Sequence, residues 1–329
     1  MKRKNNLYSE IISIENLQLA DFNARKGKSH QYGVKIHKKN EVENINMLHD
    51  ILAAKKFKTS EYTTFKVYEP KERIVYRLPY YPDRILHHAI MNVLEPIFTR
   101  LFTNDTYSCI KGKGIHKASN NLKKALLDVS GTTYCLKLDI KKFYPSVNHQ
   151  ILKSQLRRKF KDNDLLLLLD EIIDSAQGIP IGNYLSQYFA NFYLTGFDHW
   201  IKQDKQVKYY FRYADDIVIL SNSKTSLHAL LNDIKHYLNS VLKLEIKQNY
   251  QIFPVKSRGI DFVGYKHYHT HTLLRKSIKK RFVKALKKNP KFEVVAAYWG
   301  WAKHADTKNL IQKVLTDEQI QRLQLKAST

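Results

Sequence analysis

The sequence predicts an α+β fold whose parts interlock, and three observations carry that reading. Hydrophobic residues make up 43% of the 329-residue chain and aromatics 12%, enough apolar surface for a large core and far from the profile of a disordered chain. Short β-prone runs joined by turns alternate with segments of helical period. No Gly/Ser-rich or Pro-rich linker divides the chain, and no self-similarity at a period of roughly 20–50 residues makes it a repeat protein.

The elements follow in order. Asn44 to Lys56 carries Ile45, Leu48, Ile51 and Leu52 at helical spacing, and the alternating stretches Tyr62 to Tyr68 and Arg73 to Leu78 flank a Pro70-Lys71 turn, giving a helix and then a hairpin. In the second strand Arg73, Val75 and Arg77 share one face and Ile74, Tyr76 and Leu78 the other, so a core-backed ribbon would project two guanidiniums from one side. Asp83 is placed to cap a helix over Ile85 to Leu94, ahead of Pro96. Tyr134 to Leu138 reads as a short strand that stops at Asp139. Asn148 to Lys159 reads as a helix, and Asp162 to Ala176 as a capped, mostly apolar one that Gly178 and Pro180 end. Leu185 to Trp200 resumes as a helix rich in aromatics. Tyr209 to Tyr213 and Ile217 to Leu220 are β-prone runs separated by little more than Asp215-Asp216, which puts two carboxylates at a hairpin tip. A helix at Leu227 to Leu238 and a strand at Ile260 to Tyr265 come next. From Arg275 to Lys291 nine basic residues and no acidic one accompany the stripe Ile278, Phe282, Ala285 and Leu286, a basic amphipathic helix.

With 56 Lys plus Arg against 30 Asp plus Glu, the net charge is +26, a surplus whose self-repulsion a phosphate backbone relieves. Cys109 and Cys135 are the only cysteines, which argues against a disulfide framework or a zinc site and for a reducing compartment. Glu10 and Glu15 interrupt any N-terminal apolar stretch, and the leucine run ending at Leu169 is too short for a membrane span. The expectation is a soluble, cytoplasmic protein with no membrane partner. His267, His269 and His271 alternate as if on one strand face, but three imidazoles without a Cys or carboxylate nearby read as a solvated or phosphate-facing edge rather than a metal site. His87 and His88, on the helix beside the arginine hairpin, read as packing or nucleic-acid-contacting residues.

Adjacent carboxylates inside an apolar hairpin repel each other and find little solvation, so something cationic should compensate. Two Asp at a bend and a third, Asp139, ending another strand would make an oxygen-rich cage of the kind Mg²⁺ prefers. Taken alone, an Asp-Asp pair at a turn is more often a solvated turn than a metal site.

RYADDIVIL (Arg212 to Leu220) resembles the YxDD hairpin of reverse transcriptases, and LKLDIKKFYPSVNH (Leu136 to His149) resembles their first aspartate motif. GIPIGNYLSQYFANFYL (Gly178 to Leu194) lies between them and carries an IGNxxSQ pattern similar to that of diversity-generating retroelements, where group II intron enzymes typically show PQGxxxSP. KERIVYRLPYYPDRILHHAI (Lys71 to Ile90), EPIFTRLFTNDTYSCIKGKGIHKA (Glu95 to Ala118) and GIDFVGY (Gly259 to Tyr265) extend the resemblance from about Tyr62 to the end.

The resemblance implies a right-hand polymerase fold: N-terminal fingers over 1–133, a ferredoxin-like palm over 134–265 with an interleaved fingers segment, and a helical thumb over 266–329. It places the catalytic carboxylates on Asp139, Asp215 and Asp216, with Ile140 beside them in the shell of two Mg²⁺ ions. Because neighbouring strand residues point apart, Asp216 need not bind metal as directly as Asp215. Arg73 matches the fingers arginine that meets the incoming triphosphate, with Lys71, Arg77 and Arg84 as further basic candidates; Arg84 is also a candidate for primer and template. Tyr144 falls where the family has an aromatic gate against the 2′-hydroxyl. Ile181 stands where related enzymes carry a glutamine that contacts the sugar, a replacement associated with low fidelity opposite template adenine. Gly182, Asn183, Ser186 and Gln187 would complete the nucleotide wall, and Lys247 is a candidate for protonating pyrophosphate. Gly259, Phe262, Gly264 and Tyr265 match the primer grip, and Arg275, Lys279 and Lys280 would follow a heteroduplex by its phosphates and shape. Each of these residues also has a plain structural reading, as packing or as a solvated basic face. The resemblance further implies a template RNA and its cDNA heteroduplex, deoxynucleotides, and a small basic accessory protein forming a homopentamer. Rival readings are a retron-like or group II-derived enzyme of ordinary fidelity, a catalytically idle RNA-binding scaffold, and a two-metal nuclease. Lys141 and Lys142, after Asp139, read as solvated.

Overall fold

The computed structural model describes residues 3–68, 72–286, 292–316, 320, 321 and 323. Lys71 and the rest of the 69–71 turn, and residues 287–291 at the end of the expected basic helix, lie outside the described residues. The chain forms two compact units. Among the described residues no helix is long and apolar enough to cross a membrane.

The first unit comprises Met1–Asn104, Ile140–Asp204 and Lys235–Ile246. Its central helix, Ile85–Leu101, buries Leu86, Ile90, Leu94 and Phe98 against helices Ile14–Arg25 and Tyr184–Tyr193. The expected stop before Pro96 does not occur. A mid-helix proline costs about 3 kcal/mol, and burying Phe98 and Leu101 beyond it returns about 1.5–3 kcal/mol each. Nor does Asp83 cap this helix: it lies in a preceding turn, Tyr80–Arg84, fully buried, and its Oδ1 accepts the Ser60 N–H at 3.0 Å. Asn148 and Asp162 do cap, accepting the Ile151 and Leu165 N–H groups. The expected helix over 185–200 breaks at Leu194 into Tyr184–Tyr193 and Thr195–His199, where the Thr195 hydroxyl binds the Asn191 carbonyl and Gly196 adds backbone freedom.

Strands β1 (Thr63–Tyr68) and β2 (Glu72–Arg77) pair antiparallel, Phe65 opposite Val75 and Lys66 opposite Ile74. The ribbon is not core-backed as its alternation suggests. Phe65, Tyr68 and Ile74 are exposed, and only Val67, Val75 and Tyr76 are half-buried.

The second unit comprises Asp105–Asp139, Lys205–Ile234 and Lys247–Thr329. It is built on β3 (Tyr134–Asp139), β4 (Tyr209–Tyr213), β5 (Asp216–Ser221) and β6 (Gln251–Pro254), in the order β4-β5-β3-β6 with every neighbouring pair antiparallel. Counted along the chain that is second-third-first-fourth, the split-βαβ order expected of a ferredoxin-like palm. Cys135, Phe211, Val218, Leu220 and Phe253 bury one face with Ala118 and Leu122 of helix Ile115–Ala125.

The Ile260–Tyr265 run, expected as one strand, is a hairpin. Val263 and Gly264 adopt φ +43° and +88°, the positive pair a two-residue turn requires. They join β7 (Ile260–Phe262) to β8 (Tyr265–His267), and β9 (Thr272–Leu274) completes the sheet. A turn over 268–271 therefore separates the three histidines: His267 is buried, His269 meets Thr132, and His271 is exposed. Helices Lys276–Leu286, Phe292–Ala302 and Lys308–Val314 follow, with Phe282, Val295 and Leu315 among their core residues.

Candidate active site

In the second unit, β3 ends on Asp139, and the β3–β5 register sets Asp139 directly opposite Asp216, so the two carboxylates share a face. Tyr213 pairs with Asp216 to close the β4–β5 hairpin, leaving Ala214 and Asp215 as its loop. Ala214 takes the left-handed φ of +53° that such a short loop demands. The three expected carboxylates thus meet at one end of the two central strands. Asp216, which strand alternation alone would turn away, is instead the cross-strand partner of Asp139.

Their electrostatics are those of crowded like charges. Burial, and then the Asp139 charge, push the Asp215 carboxyl up to about 6. Burial raises Asp216 too, with Lys137 opposing. Two ammoniums answer them: Lys137 Nζ lies 3.3 Å from Asp216 Oδ2, and Lys247 Nζ contacts Asp139 Oδ1 while its backbone N–H donates to the Asp139 carbonyl at 2.8 Å. Among the described residues, the buried Asp216 Oδ1 has no hydrogen-bond partner. Among the described residues no three His, Cys, Asp or Glu side chains already close around a common point. The donors are all carboxylate oxygens, one of them orphaned and two crowded by like charge, and such a set fits a hard, oxygen-seeking cation. Ile140, expected in the same shell, is buried and bridges to Ile246.

The carboxylate-bearing face continues within the same unit. Lys137, two residues before Asp139 on its face, pairs across β6 with Gln251, and Asp261, Lys266 and Leu273 line up across β7, β8 and β9. Lys137 Nζ also reaches the Asp261 carbonyl, and Arg275 pairs with the Asp261 carboxylate at 2.5–2.7 Å. These residues line a groove of about 820 Å³ with Arg258, Lys276 and Lys279. Gly259 (φ +67°) forms part of its wall, and Gly264 lies so close to Trp301 that a Cβ would come within 2.2 Å of the indole. Phe262 and Tyr265 are fully buried, so their side chains shape the turn and any ligand contact there falls to backbone. Lys280 is exposed.

The expected nucleotide-side residues assemble in the first unit. The Ile179 N–H donates to the Tyr144 carbonyl at 3.0 Å, and Gly178 (φ +64°) packs directly on the Tyr144-Pro145 backbone. The Tyr76 N–H donates to the Ile181 carbonyl at 2.7 Å, and Gly182 (φ +120°) lies where a Cβ would come 2.2 Å from the Tyr76 carbonyl oxygen. Asn183, buried, donates to Tyr62 Oη, which bonds Ser175. Tyr144, the 178–183 loop and the β1–β2 hairpin therefore meet. Ile181 and Tyr144 are half-buried, Ser186 is buried, and Gln187 and Arg73 are exposed. Lys141 is exposed and pairs with Glu245 at 2.8 Å, and Lys142 is exposed in the left-handed conformation. Lys137 and Tyr62 are site residues that sequence reasoning missed. The signal for Lys137 was its place two residues before Asp139; for Tyr62 there was none.

A ferredoxin-like sheet with carboxylates at the ends of its central strands and a basic groove continuing its face defines a polymerase-type palm. Residues 58–267, well over half the chain, match the family described as reverse transcriptase (RNA-dependent DNA polymerase), and the chain belongs to that family. It is similar to the retron Ec73 reverse transcriptase of Escherichia coli, 27% identical over 70% of this chain and 79% of that protein. It is also similar to protein YkfC of E. coli K12 (24%; 64% of this chain, 66% of that one) and to the group II intron-encoded protein LtrA of Lactococcus lactis (19%; 57% and 43%). Among solved structures it resembles apo telomerase from Candida tropicalis, with a TM-score of 0.52 at 11% identity over 73% of this chain. The chain spans 56% of that telomerase chain and 66% of YkfC. The fold is that of a right-hand polymerase.

Proposed function

We propose that this protein is an RNA-directed DNA polymerase that copies a template RNA into error-prone cDNA, as in the mutagenic retrohoming of diversity-generating retroelements. The observation that carries the polymerase reading is the Asp139–Asp216 register with Asp215 at the adjoining tip, on a face that runs into the basic groove. Asp139, Asp215 and Asp216 would hold two Mg²⁺, with Ile140 contributing to the shell. Held there, the ions would lower the pKa of the primer 3′-hydroxyl and neutralise charge on the leaving pyrophosphate. The hydroxyl oxygen attacks the α-phosphorus, its proton passes to solvent, and the bond to the β-phosphate breaks. Arg73 meets the triphosphate with a planar fork, Tyr144 walls off the 2′ position, and Lys247, an ammonium already beside Asp139, supplies a proton to pyrophosphate. The groove lysines and Arg275 hold the primer–template duplex by its phosphates.

The error-prone assignment rests on Ile181. An aliphatic side chain at the nucleotide wall supplies no hydrogen bond to the sugar, so the discrimination that such a bond gives is missing. Fingers over 1–133, palm over 134–265 and thumb over 266–329, a cytoplasmic setting, and a basic homopentameric accessory protein complete the reading. Primer extension on RNA with Mg²⁺ and four deoxynucleotides, with Asp215→Ala as blank and the cDNA sequenced, tests it. Errors concentrated opposite template adenine are the expected result. Accurate cDNA would instead favour the second reading, an enzyme of ordinary fidelity, which the 79% coverage of the retron relative supports.

A further inference from the structure

We propose that His149, carrying a proton on each ring nitrogen, is a positioning residue for the nucleotide wall: it holds the 178–183 loop, and Ile181 with it, against Tyr144. All of the residues concerned lie in the first unit. The bearing on nucleotide rests on the polymerase reading, and the hydrogen bonds do not.

The proton count follows from donors and acceptors. Nε2 of the His149 ring lies 2.7 Å from the Gly178 carbonyl oxygen, and Nδ1 lies 3.1 Å from Asp174 Oδ1. A carbonyl oxygen and an ionised carboxylate both accept and never donate. Asp174 is ionised: burial works against its charge, but hydrogen bonds from Lys153 and His149 hold the carboxyl below its ordinary range. A neutral imidazole has one N–H and makes one of the two bonds; only the imidazolium makes both. His149 opens the helix His149–Lys159, where a cation has the wrong sign for the helix dipole, so the Asp174 charge is what supports the second proton. The charged groups facing the ring are Asp174 and Lys153, themselves an ion pair. Arg157 and Asp170 pair with each other further along the same two helices. Tyr193, whose hydroxyl accepts from the Asn148 N–H, stays neutral because burial pushes it up to about 12.

The place of these bonds gives them their role. Helix Asn163–Asp174 ends at Asp174, and the chain turns back through Gly178, where a Cβ would come 2.4 Å from the Tyr144 carbonyl oxygen. At the far end of the loop Asn183 donates to Tyr62 Oη, which bonds Ser175 Oγ, and Ser175 donates to the Ile172 carbonyl. The loop is strapped at both ends to the close of one helix, through His149 and Asp174 at its start and through Tyr62 and Ser175 at its finish. Burial raises the Tyr62 hydroxyl, so that strap keeps its proton through the range, about pH 5 to 8, in which an imidazole changes charge. Rising pH therefore loosens the Gly178 end alone: both His149 bonds are present while the ring is doubly protonated, and one is lost with the second proton.

The test has two arms. In the first, nitrogen-15 histidine NMR of the full chain without substrate reads the ring, with His149→Gln identifying its signals. Both nitrogens should carry protons at about pH 5.5 and only one at about pH 8.5. Amide protection factors over 179–183 should fall across the same range, and Asp174→Asn should move the ring titration to lower pH. In the second arm, steady-state incorporation is followed against pH. His149→Gln keeps a donor for Gly178 but no charge, so at about pH 6.5 its KM for deoxynucleotide should exceed that of the wild type about 3- to 10-fold, the range of one hydrogen bond, with kcat changed less. The two KM values should converge as the pH rises to about 8.5 and the wild-type ring becomes neutral. A ring with a single proton at the acid end, loop protection that ignores pH, or a KM ratio that stays flat would each overturn the proposal. Absence of incorporation even in the wild type would remove the polymerase reading and leave the first arm to decide the clamp.

Discussion

Gly182→Ala tests how the nucleotide wall is held. At φ +120° an alanine meets a backbone conformation that costs on the order of 1–3 kcal/mol. Its Cβ would also stand 2.2 Å from the Tyr76 carbonyl oxygen and 3.0 Å from Val75 Cγ1. A real contact needs over 3 Å, so the loop and β2 must part by about 1 Å. That opens the 2.7 Å bond from the Tyr76 N–H to Ile181, worth about 0.5–1.5 kcal/mol. The sum is about 2–4 kcal/mol, and the part that yields is the one with least core behind it, the exposed β1–β2 ribbon. Arg73 rides on that ribbon, and a displacement of about 1 Å at a positioning group costs up to about 100-fold in rate. In steady-state incorporation the KM for deoxynucleotide should rise about 10- to 100-fold with kcat falling less, while the thermal midpoint falls by several degrees and amide exchange over 63–68 and 72–77 accelerates. Gly112→Ala is the control, at φ +76° with nothing within 4 Å of the added methyl, so it carries strain without collision. A normal KM with unchanged hairpin protection would refute the reasoning.

Asp215→Asn removes one of three mutually repelling carboxylates and should stabilise the protein by about 1–3 kcal/mol in chelator at pH 7.5, by urea unfolding, while abolishing synthesis. Added Mg²⁺ should narrow that gap by stabilising only the wild type; a variant no more stable than wild type in chelator contradicts the crowding argument. His87 is buried in the first unit, and burial, then His88 and Arg84, depress it to about 3. Between its ordinary pKa and about 3 the unfolded chain binds a proton that the folded chain declines, so this contribution is complete above pH 6.5 and shrinks as pH falls. At pH 5 the loss relative to His87→Asn should be about 2 kcal/mol, and parallel stability curves for the two proteins between pH 7.5 and 5 would count against it. Tyr193→Phe deletes a fully buried hydroxyl that donates to the Leu242 carbonyl at 2.6 Å and accepts from the Asn148 N–H at 3.3 Å, so it should cost about 1–3 kcal/mol by the same measurement. A loss below the resolution of the assay would mean water replaces both bonds.

The carboxylates were legible because two β-prone runs flanking a pair of aspartates define a hairpin and its tip by themselves. What alternation does not encode is burial. The period-2 pattern of Arg73 to Leu78 is the same for a ribbon on a core and a ribbon in solvent, and here solvent wins. An aspartate before a helical pattern signals a cap, but Asp83 found Ser60, 23 residues away, and that tertiary bond overrode the local one. In the 260–265 run the glycine at 264 carried the turn signal, and β-propensity on both sides hid it. Lys137 and Tyr62 answer to partners more than 75 residues distant, Asp216 and Asn183, which no window along the chain contains.

Lys137 also explains how a crowded carboxylate edge and a neighbouring small sheet keep a fixed relation within the second unit. Its ammonium contacts Asp216 on one side and the Asp261 carbonyl on the other, and Arg275 fastens the Asp261 side chain to the start of the Lys276–Leu286 helix. Each of these bonds is partly exposed, and as separate surface pairs they would contribute little to stability. In series they do something different: they tie the position of the Asp216 carboxylate to the hairpin and helix that line the groove. A cation that took over the charge of Asp216 would free Lys137 from that contact and leave the Asp261 carbonyl, on the groove side, as its remaining partner.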